Sequence, residues 1–218
     1  MSEIRTEEEQ VQAIKNWWKE NGKSLLLGIA GAAAITVGWQ QWQSNQAAYA
    51  EAASISYLNY VDAVSGYMSS GDQALLTTAG TLADEIKAEY DDTVYAQYTA
   101  LIQAKLDVEA GELAEAVSEL EWIKAQEPSA RLATVADLRL AKVHFAAGDL
   151  DAALSTLVSV KGQGFDELAY ELEGDVLVAQ GKLALARDAY EQAQAAGTAG
   201  ASRGLLALKL SDLAVEEG

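Results

Sequence analysis

The hydrophobic pattern of the chain changes once. From Leu25 to Trp39 the sequence reads LLLGIAGAAAITVGW, without a charge; beyond residue 43 apolar residues recur at helical spacing. A charge in hydrocarbon is costly, so a charge-free apolar run is what a membrane-spanning helix requires. The strict run is 15 residues, fewer than the roughly 20 that a span needs. Trp17 and Trp18 before it and Trp39 and Trp42 after it extend it, because indole rings favour the membrane–water interface. From Trp18 to Trp39 is about 32 Å of helix at a rise of 1.5 Å per residue, which matches a hydrocarbon core of about 30 Å. The pattern predicts a transmembrane anchor over residues 24–42.

Lys15, Lys19 and Lys23 precede the run, and no Lys or Arg follows it until Lys87. Basic residues beside a span stay on the cytoplasmic side. Residues 1–23 are therefore expected to be a cytoplasmic tail, with everything after the span on the far side of the membrane. In the tail, Val11, Ile14 and Trp18 share one helical face. Two other readings compete for the run. A buried core helix would not carry so one-sided a Lys distribution. A cleaved signal peptide could end at Ala48-Tyr49-Ala50, but that site lies far beyond the apolar run, and the leader holds Glu7, Glu8, Glu9 and Glu20.

After the anchor, one long helix is predicted from Gln43 to about Met68, a turn at Ser69-Ser70-Gly71, and a second helix over 73–90 ended near Asp91-Asp92. Residues 43–92 are thus a membrane-proximal helical hairpin, and its part at about 49–90, with Gly71 at the turn, reads as a degenerate repeat. Over 93–218 a repeat is explicit. Gly111, Gly148 and Gly181 each close an apolar stretch. Leu113, Leu150 and Leu183 follow at two residues, and Ala116, Ala153 and Ala186 at five. The glycines are 37 and 33 residues apart, close to the roughly 34-residue period of tetratricopeptide repeats. A tight turn between antiparallel helices needs a residue free to adopt positive φ. Close crossing needs small residues, supplied by Ala104, Ala141 and Gly174 from the first helices and by Ala116, Ala153 and Ala186 from the second. Tyr190 and Ala193 fit the same consensus, as does Pro128 after the first unit. A last amphipathic helix through Leu205, Leu208 and Leu213 is expected to cap the array. The predicted fold is all-α: one transmembrane helix, a tetratricopeptide-like solenoid of helical hairpins, and a C-terminal capping helix.

Charge narrows the partners. Residues 43–218 hold 28 acids and 11 bases, a net charge of −17. Such a surface repels nucleic acid and anionic headgroups. There is no Cys and one His, His144, so thiol nucleophiles and His-rich zinc sites are excluded. A hydrolytic triad would need His144, which falls within a repeat helix and reads as packed. Gly162-Gln163-Gly164 lacks the preceding strand of a dinucleotide loop and reads as a turn between repeats. Asp149-Leu150-Asp151 lacks the other ligands of a calcium loop and reads as helix capping. No enzyme activity, metal or cofactor is expected.

Binding remains. Stacked hairpins present a concave face lined by their first helices. The repeat register places Tyr98, Leu101, Lys105 and Val108 there, then Val135, Leu138, Lys142 and Phe145, then Leu168, Glu171, Asp175 and Val178. This mixture suits an extended or unfolded peptide; alternatively, the C-terminal helix fills the groove. Tyr57, Tyr60, Tyr67, Tyr90 and Tyr95 enrich the membrane-proximal half, as core or as an adhesive surface.

Glu20-Asn21-Gly22-Lys23 after an aromatic pair, with the apolar run closed by Gly38-Trp39 and Trp42, resembles the YfgM family. So do Leu138-Arg139-Leu140-Ala141-Lys142-Val143, Asp151-Ala152-Ala153-Leu154, and Val160-Lys161-Gly162-Gln163-Gly164-Phe165 with Gly174. Residues 43–130 match by helical pattern only. The resemblance implies an ancillary subunit of the SecYEG translocon in a bacterial inner membrane, with a cytoplasmic tail, one span and a periplasmic repeat domain. It also implies association with the membrane-anchored chaperone PpiD and a part in receiving secreted, unfolded proteins. A second expectation, a regulator of envelope stress whose tail binds a cytoplasmic partner through Val11, Ile14 and Trp18, stands beside it.

Overall fold

The structure is a computed structural model that describes residues 7–197 and 202–216. Every regular element among them is helical. The chain divides into two units, residues 1–52 and 53–218. The first helix, α1 (Glu7–Ser70), supplies the described part of the first unit and opens the second.

In the first unit the apolar run is helical, and Leu26, Leu27, Ile29, Ile35 and Val37 are exposed. This helix is long and apolar enough to cross a membrane. Two of its polar side chains bond to the helix's own backbone. Asn21 donates to the Trp17 carbonyl at 3.1 Å, and Thr36 to the Ala32 carbonyl at 2.8 Å. Such i to i−4 bonds remove the donors that hydrocarbon would leave unpaired.

The second unit is a run of helical hairpins. The end of α1 packs through Tyr60, Ala63 and Val64 against α2 (Gln73–Glu89). Next come α3 (Val94–Ala110) with α4 (Leu113–Ala125), α5 (Ala130–Ala147) with α6 (Leu150–Val160), and α7 (Asp166–Ala179) with α8 (Leu183–Ala196). A single helix, α9 (Ser202–Glu216), follows. Three of the turns are the same Schellman motif. The N–H groups of Gly111, Gly148 and Gly181 donate to the carbonyls of Val108, Phe145 and Val178. Those of Glu112, Asp149 and Lys182 donate to Asp107, His144 and Leu177. Each glycine has φ between 72° and 84°, the left-handed region in which a Cβ is strained.

The core repeats as the turns do. Ala116, Leu120 and Ile123 of α4 are fully buried, and the equivalent buried residues are Ala153, Leu157 and Val160 of α6 and Ala186, Tyr190 and Ala193 of α8. Ala79, Ala83 and Ile86 of α2 have the same spacing and burial. The first hairpin therefore keeps the packing register of the repeats. Its turn is longer: Ala79 lies eight residues after Gly71, against five from Gly111 to Ala116. The Asp72 side chain caps α2 by accepting from the Ala74 N–H at 2.9 Å. Each core cluster joins three successive helices: α1, α2 and α3; α3, α4 and α5; α5, α6 and α7; α7, α8 and α9. Each hairpin is thus completed by the first helix of its successor, as in a one-dimensional array.

Ala104, Ala141 and Gly174 lie at the helix crossings. At Gly174 a Cβ would run into the Tyr190 ring. The larger side chain on α8 is accommodated by the smallest one on α7.

The terminal helix corrects the predicted register. Leu213 is buried, but Leu205 and Leu208 are exposed, and Leu206 and Leu210 form the packed face instead. A leucine-rich helix offers two overlapping stripes, and the docking surface on α7 and α8 selects one. Capping at Asp149 is also corrected. That residue occupies the N-cap position, but its side chain makes no cap hydrogen bond. Asp151 accepts instead from Gln180 at 3.0 Å.

Candidate functional site

The array leaves an apolar groove of about 370 Å³ between α3 and α5. Its floor is Leu101, Ala104, Val108, Leu120, Val143 and Ala146. Charge stands at its rim: Lys105 and Glu109 from α3, Arg139 and Lys142 from α5. Lys105 pairs with Glu109 at 3.4 Å, both half-exposed. Arg139 donates to the Leu101 carbonyl at 3.2 Å, bridging the two helices.

The register places Glu171 where Leu101 and Leu138 stand, and Asp175 where Lys105 and Lys142 stand. Arg139 lies 23 residues after Ala116, and Lys209 of α9 lies 23 after Ala186. Both cations reach back to the preceding first helix. Lys209 meets two carboxylates there, Glu171 at 2.8 Å and Asp175 at 2.6 Å. Tyr190 donates its hydroxyl to Asp175 at 2.7 Å, and its ring lies 5.4 Å from the Lys209 ammonium. Burial pulls the Lys209 pKa down, but the hydrogen bonds and charges of Asp175 and Glu171 outweigh it, so the net shift is upward. Burial, then the bond to Asp175, raises the Tyr190 pKa. α9 therefore occupies the place of the next first helix. It does not fill the groove between α3 and α5.

The expected groove residues separate by position. Leu101, Lys105, Val108 and Lys142 line the groove. Tyr98 is exposed and joins Tyr57 and Tyr95 in an aromatic group, with ring centroids 6.4 and 5.6 Å from Tyr57. Leu138 is buried among Ala141, Ala153, Leu157 and Leu172, and Phe145 packs against the same cluster. Neither lines the groove, because α6 and α7 cover that side of α5. Glu171 and Asp175 are taken by Lys209, and Val178 and Leu168 are exposed. Arg139 was not among the expected positions; its spacing three residues before Lys142 could have suggested it.

Of the tyrosines, Tyr60 is fully buried and its hydroxyl donates to the Thr99 carbonyl at 3.5 Å. Burial, reinforced by Glu119 and Asp107, raises its pKa. In the first unit, Trp17, Trp18, Trp39 and Trp42 are half-exposed and Lys23 is exposed. The Trp18 indole lies over Gly22, and the Trp39 and Trp42 rings pack at a tilt of 38° with centroids 5.0 Å apart. His144 is partly buried in α5, and its Nδ1 has no hydrogen-bond partner among the described residues. No group of three or more His, Asp or Glu side chains among the described residues could hold a metal ion. Gly162 and Gly164 form a left-handed turn between repeats, and the Gly162 N–H donates to Asp166 at 2.6 Å.

A family model described as a tetratricopeptide repeat-like domain matches residues 15–215. The chain is 32% identical to an ancillary SecYEG translocon subunit of Haemophilus influenzae, over 88% of this chain and 90% of the relative. It is 31% identical to the subunit of that name in Escherichia coli, over 99% of this chain and 100% of the relative. One from Neisseria gonorrhoeae is 25% identical over 95% of this chain. No solved structure matches the chain. Matches over nearly the whole length, apolar helix and repeats together, are decisive: the chain belongs to the tetratricopeptide repeat-like family of ancillary SecYEG translocon subunits.

Proposed function

We propose that this chain is a non-enzymatic accessory subunit of the SecYEG translocon, held in the bacterial inner membrane by residues 24–42. Residues 1–23 lie in the cytoplasm and the repeat array in the periplasm. There the array links emerging secreted proteins to a membrane-anchored chaperone such as PpiD. The observation that carries this reading is the end-to-end similarity to the Escherichia coli subunit. Two features of the chain support it. The apolar side chains of α1 are exposed, as a span in hydrocarbon requires. The only three bases between Met1-proximal Arg5 and Lys87 all precede the span, which orients it. A tetratricopeptide-like array is a non-catalytic kind of domain, and what it offers is surface. Membrane confinement raises the effective concentration of partners, so weak contacts suffice.

Site-specific photocrosslinking of the full chain in intact bacterial membranes tests the proposal. Probes at Tyr57, Tyr98, Val108 and Lys142 should yield adducts with translocon subunits, a membrane-anchored chaperone or secretory chains. Probes at Leu185 and Val158, exposed on second helices, serve as comparison. Absence of all three adduct classes from every probe would overturn the assignment.

A further inference from the structure

We infer that the groove between α3 and α5 selects acidic segments, peptides with apolar anchors flanked by carboxylates. The inference rests on the array being an interaction module and names the chemistry of what it takes.

Charge complementarity carries the argument. Acids outnumber bases 33 to 15 in this chain, and four cations of the array are held at close range by carboxylates. Lys87 pairs with Glu119 at 2.5 Å, Lys124 with Asp137 at 2.7 Å, Lys161 with Glu173 at 2.6 Å, and Lys209 with Glu171 and Asp175. Arg139 and Lys142 pair with no carboxylate among the described residues, although both lie in an acidic domain. Arg131 and Lys182 also meet no carboxylate among the described residues; Lys182 sits at the start of α8, and Arg131 lines a hollow that it shares with Ala130 and Phe165 but also with the polar Thr134 and Gln163. At the groove between α3 and α5, by contrast, two such cations flank a floor that is apolar throughout. Lys105 adds a third, half-neutralised by Glu109.

The other end of the array shows what the missing partner would supply. There the cation of the following helix, Lys209, finds carboxylates at positions 171 and 175. At the equivalent positions 101 and 105 the chain has Leu and Lys, so Arg139 meets only a backbone carbonyl. The carboxylate must come from outside the described chain. The apolar floor then holds a Leu- or Phe-sized side chain, and the rim cations hold the acids beside it. A basic segment meets three like charges at the same distance. The rim acts on selectivity more than on total affinity.

The test uses the full chain in nanodiscs of zwitterionic phosphatidylcholine, with three fluorescein-labelled peptides. All share one spacing of leucines; the remaining positions are Glu, Gln or Lys. Fluorescence polarisation should show the Glu peptide binding about tenfold more tightly than the Gln peptide, with the difference shrinking as salt is raised. The Lys peptide should bind most weakly. In Arg139→Gln/Lys142→Gln, two exposed positions, the Glu peptide should fall to the level of the Gln peptide, whose affinity stays unchanged. Val108→Gln should weaken Glu and Gln peptides alike. Equal binding of the Glu and Lys peptides, or a preference that survives the double variant, would overturn the inference. So would a concentration-dependent dimer lost in the double variant, which would assign the groove to a second copy. Photocrosslinks to the translocon that persist in the double variant would leave the accessory role standing whatever the peptides show.

Discussion

Two first helices of the array, α3 and α7, occupy equivalent places and end differently. On α7 the positions that face the following helix are Glu171 and Asp175, and α9 answers them with Lys209. On α3 they are Leu101 and Lys105, and α5 answers with Arg139 and a bond to a carbonyl. The backbone is the same, down to the Schellman turns. The difference therefore lies in three pairs of side chains. Where charges cancel, the site is closed and serves stability. Where they do not, a groove stays open, and its charge is available to a partner. A repeat fold can thus assign structure to one copy and recognition to another without changing its frame.

The largest effect is expected at the closed end. Gly174→Ala puts a methyl into the Tyr190 ring and should cost about 3 kcal/mol, since a flat ring clamped by Asp175 and Lys209 cannot move aside cheaply. Ala141→Gly at the equivalent crossing should cost only about 1 kcal/mol, from helix propensity and a small void. Thermal unfolding followed by circular dichroism measures both. Similar losses would mean that the two crossings are packed alike and the comparison fails. Next is Lys209→Met, which leaves Glu171 and Asp175 facing each other without a cation. Because the pair is partly exposed, about 2 kcal/mol is expected rather than the roughly 3–5 of a fully buried pair. Arg139→Met should cost less than about 1 kcal/mol, one carbonyl bond.

The same contrast marks what could be read from the sequence. Turn glycines, small crossing residues and the core of the second helices are local in sequence, so their spacing was enough. The long apolar helix was legible for the same reason. Burial of Leu138 was not, because α6 and α7 decide it. Lys209 and Glu171 are 38 residues apart, and no periodicity links them. Leu205 and Leu208 looked like the packed face because leucines crowd both stripes of α9. Val108 and Lys142 carried the right register, and Arg139 became visible only when its bond to Leu101 showed two helices sharing a rim.

The two ends should also answer to pH in opposite ranges. Asp107 of α3 is buried beside Gln103, which donates to it at 2.9 Å. Burial raises its pKa; the Gln103 bond opposes this, Glu119 and Glu112 add to it, and Lys87 opposes it. A carboxyl raised in the folded state binds its proton more tightly there than in the unfolded chain. Its contribution is therefore full below the ordinary value of about 4 and is lost as pH rises through the folded pKa. Asp107→Asn should raise stability at pH 7 by about 1 kcal/mol, a gain that vanishes on acidification below about pH 4. Lys209 is also raised, but its contribution is full below the ordinary value of about 10.4 and is lost only in alkali. A gain for Asp107→Asn that persists unchanged at pH 3 would show that shape rather than charge is at work.

The smallest change in stability should come from the most direct swap. Lys105→Asp gives α3 the residue that α7 has at Asp175. Lys105 is half-exposed and holds only Glu109, so the loss should stay within about 0.5 kcal/mol. The new carboxylate would stand where Asp175 stands relative to Lys209, within reach of Arg139. It would claim that cation and make the open site electrostatically like the closed one. The Glu-peptide preference should then fall severalfold at unchanged fold stability, and adding Arg139→Gln should change it little further, because the charge it removes is already cancelled. Full additivity of the two substitutions would mean that Arg139 and position 105 do not share a partner. Each of the two would then contribute to the selectivity of the groove independently.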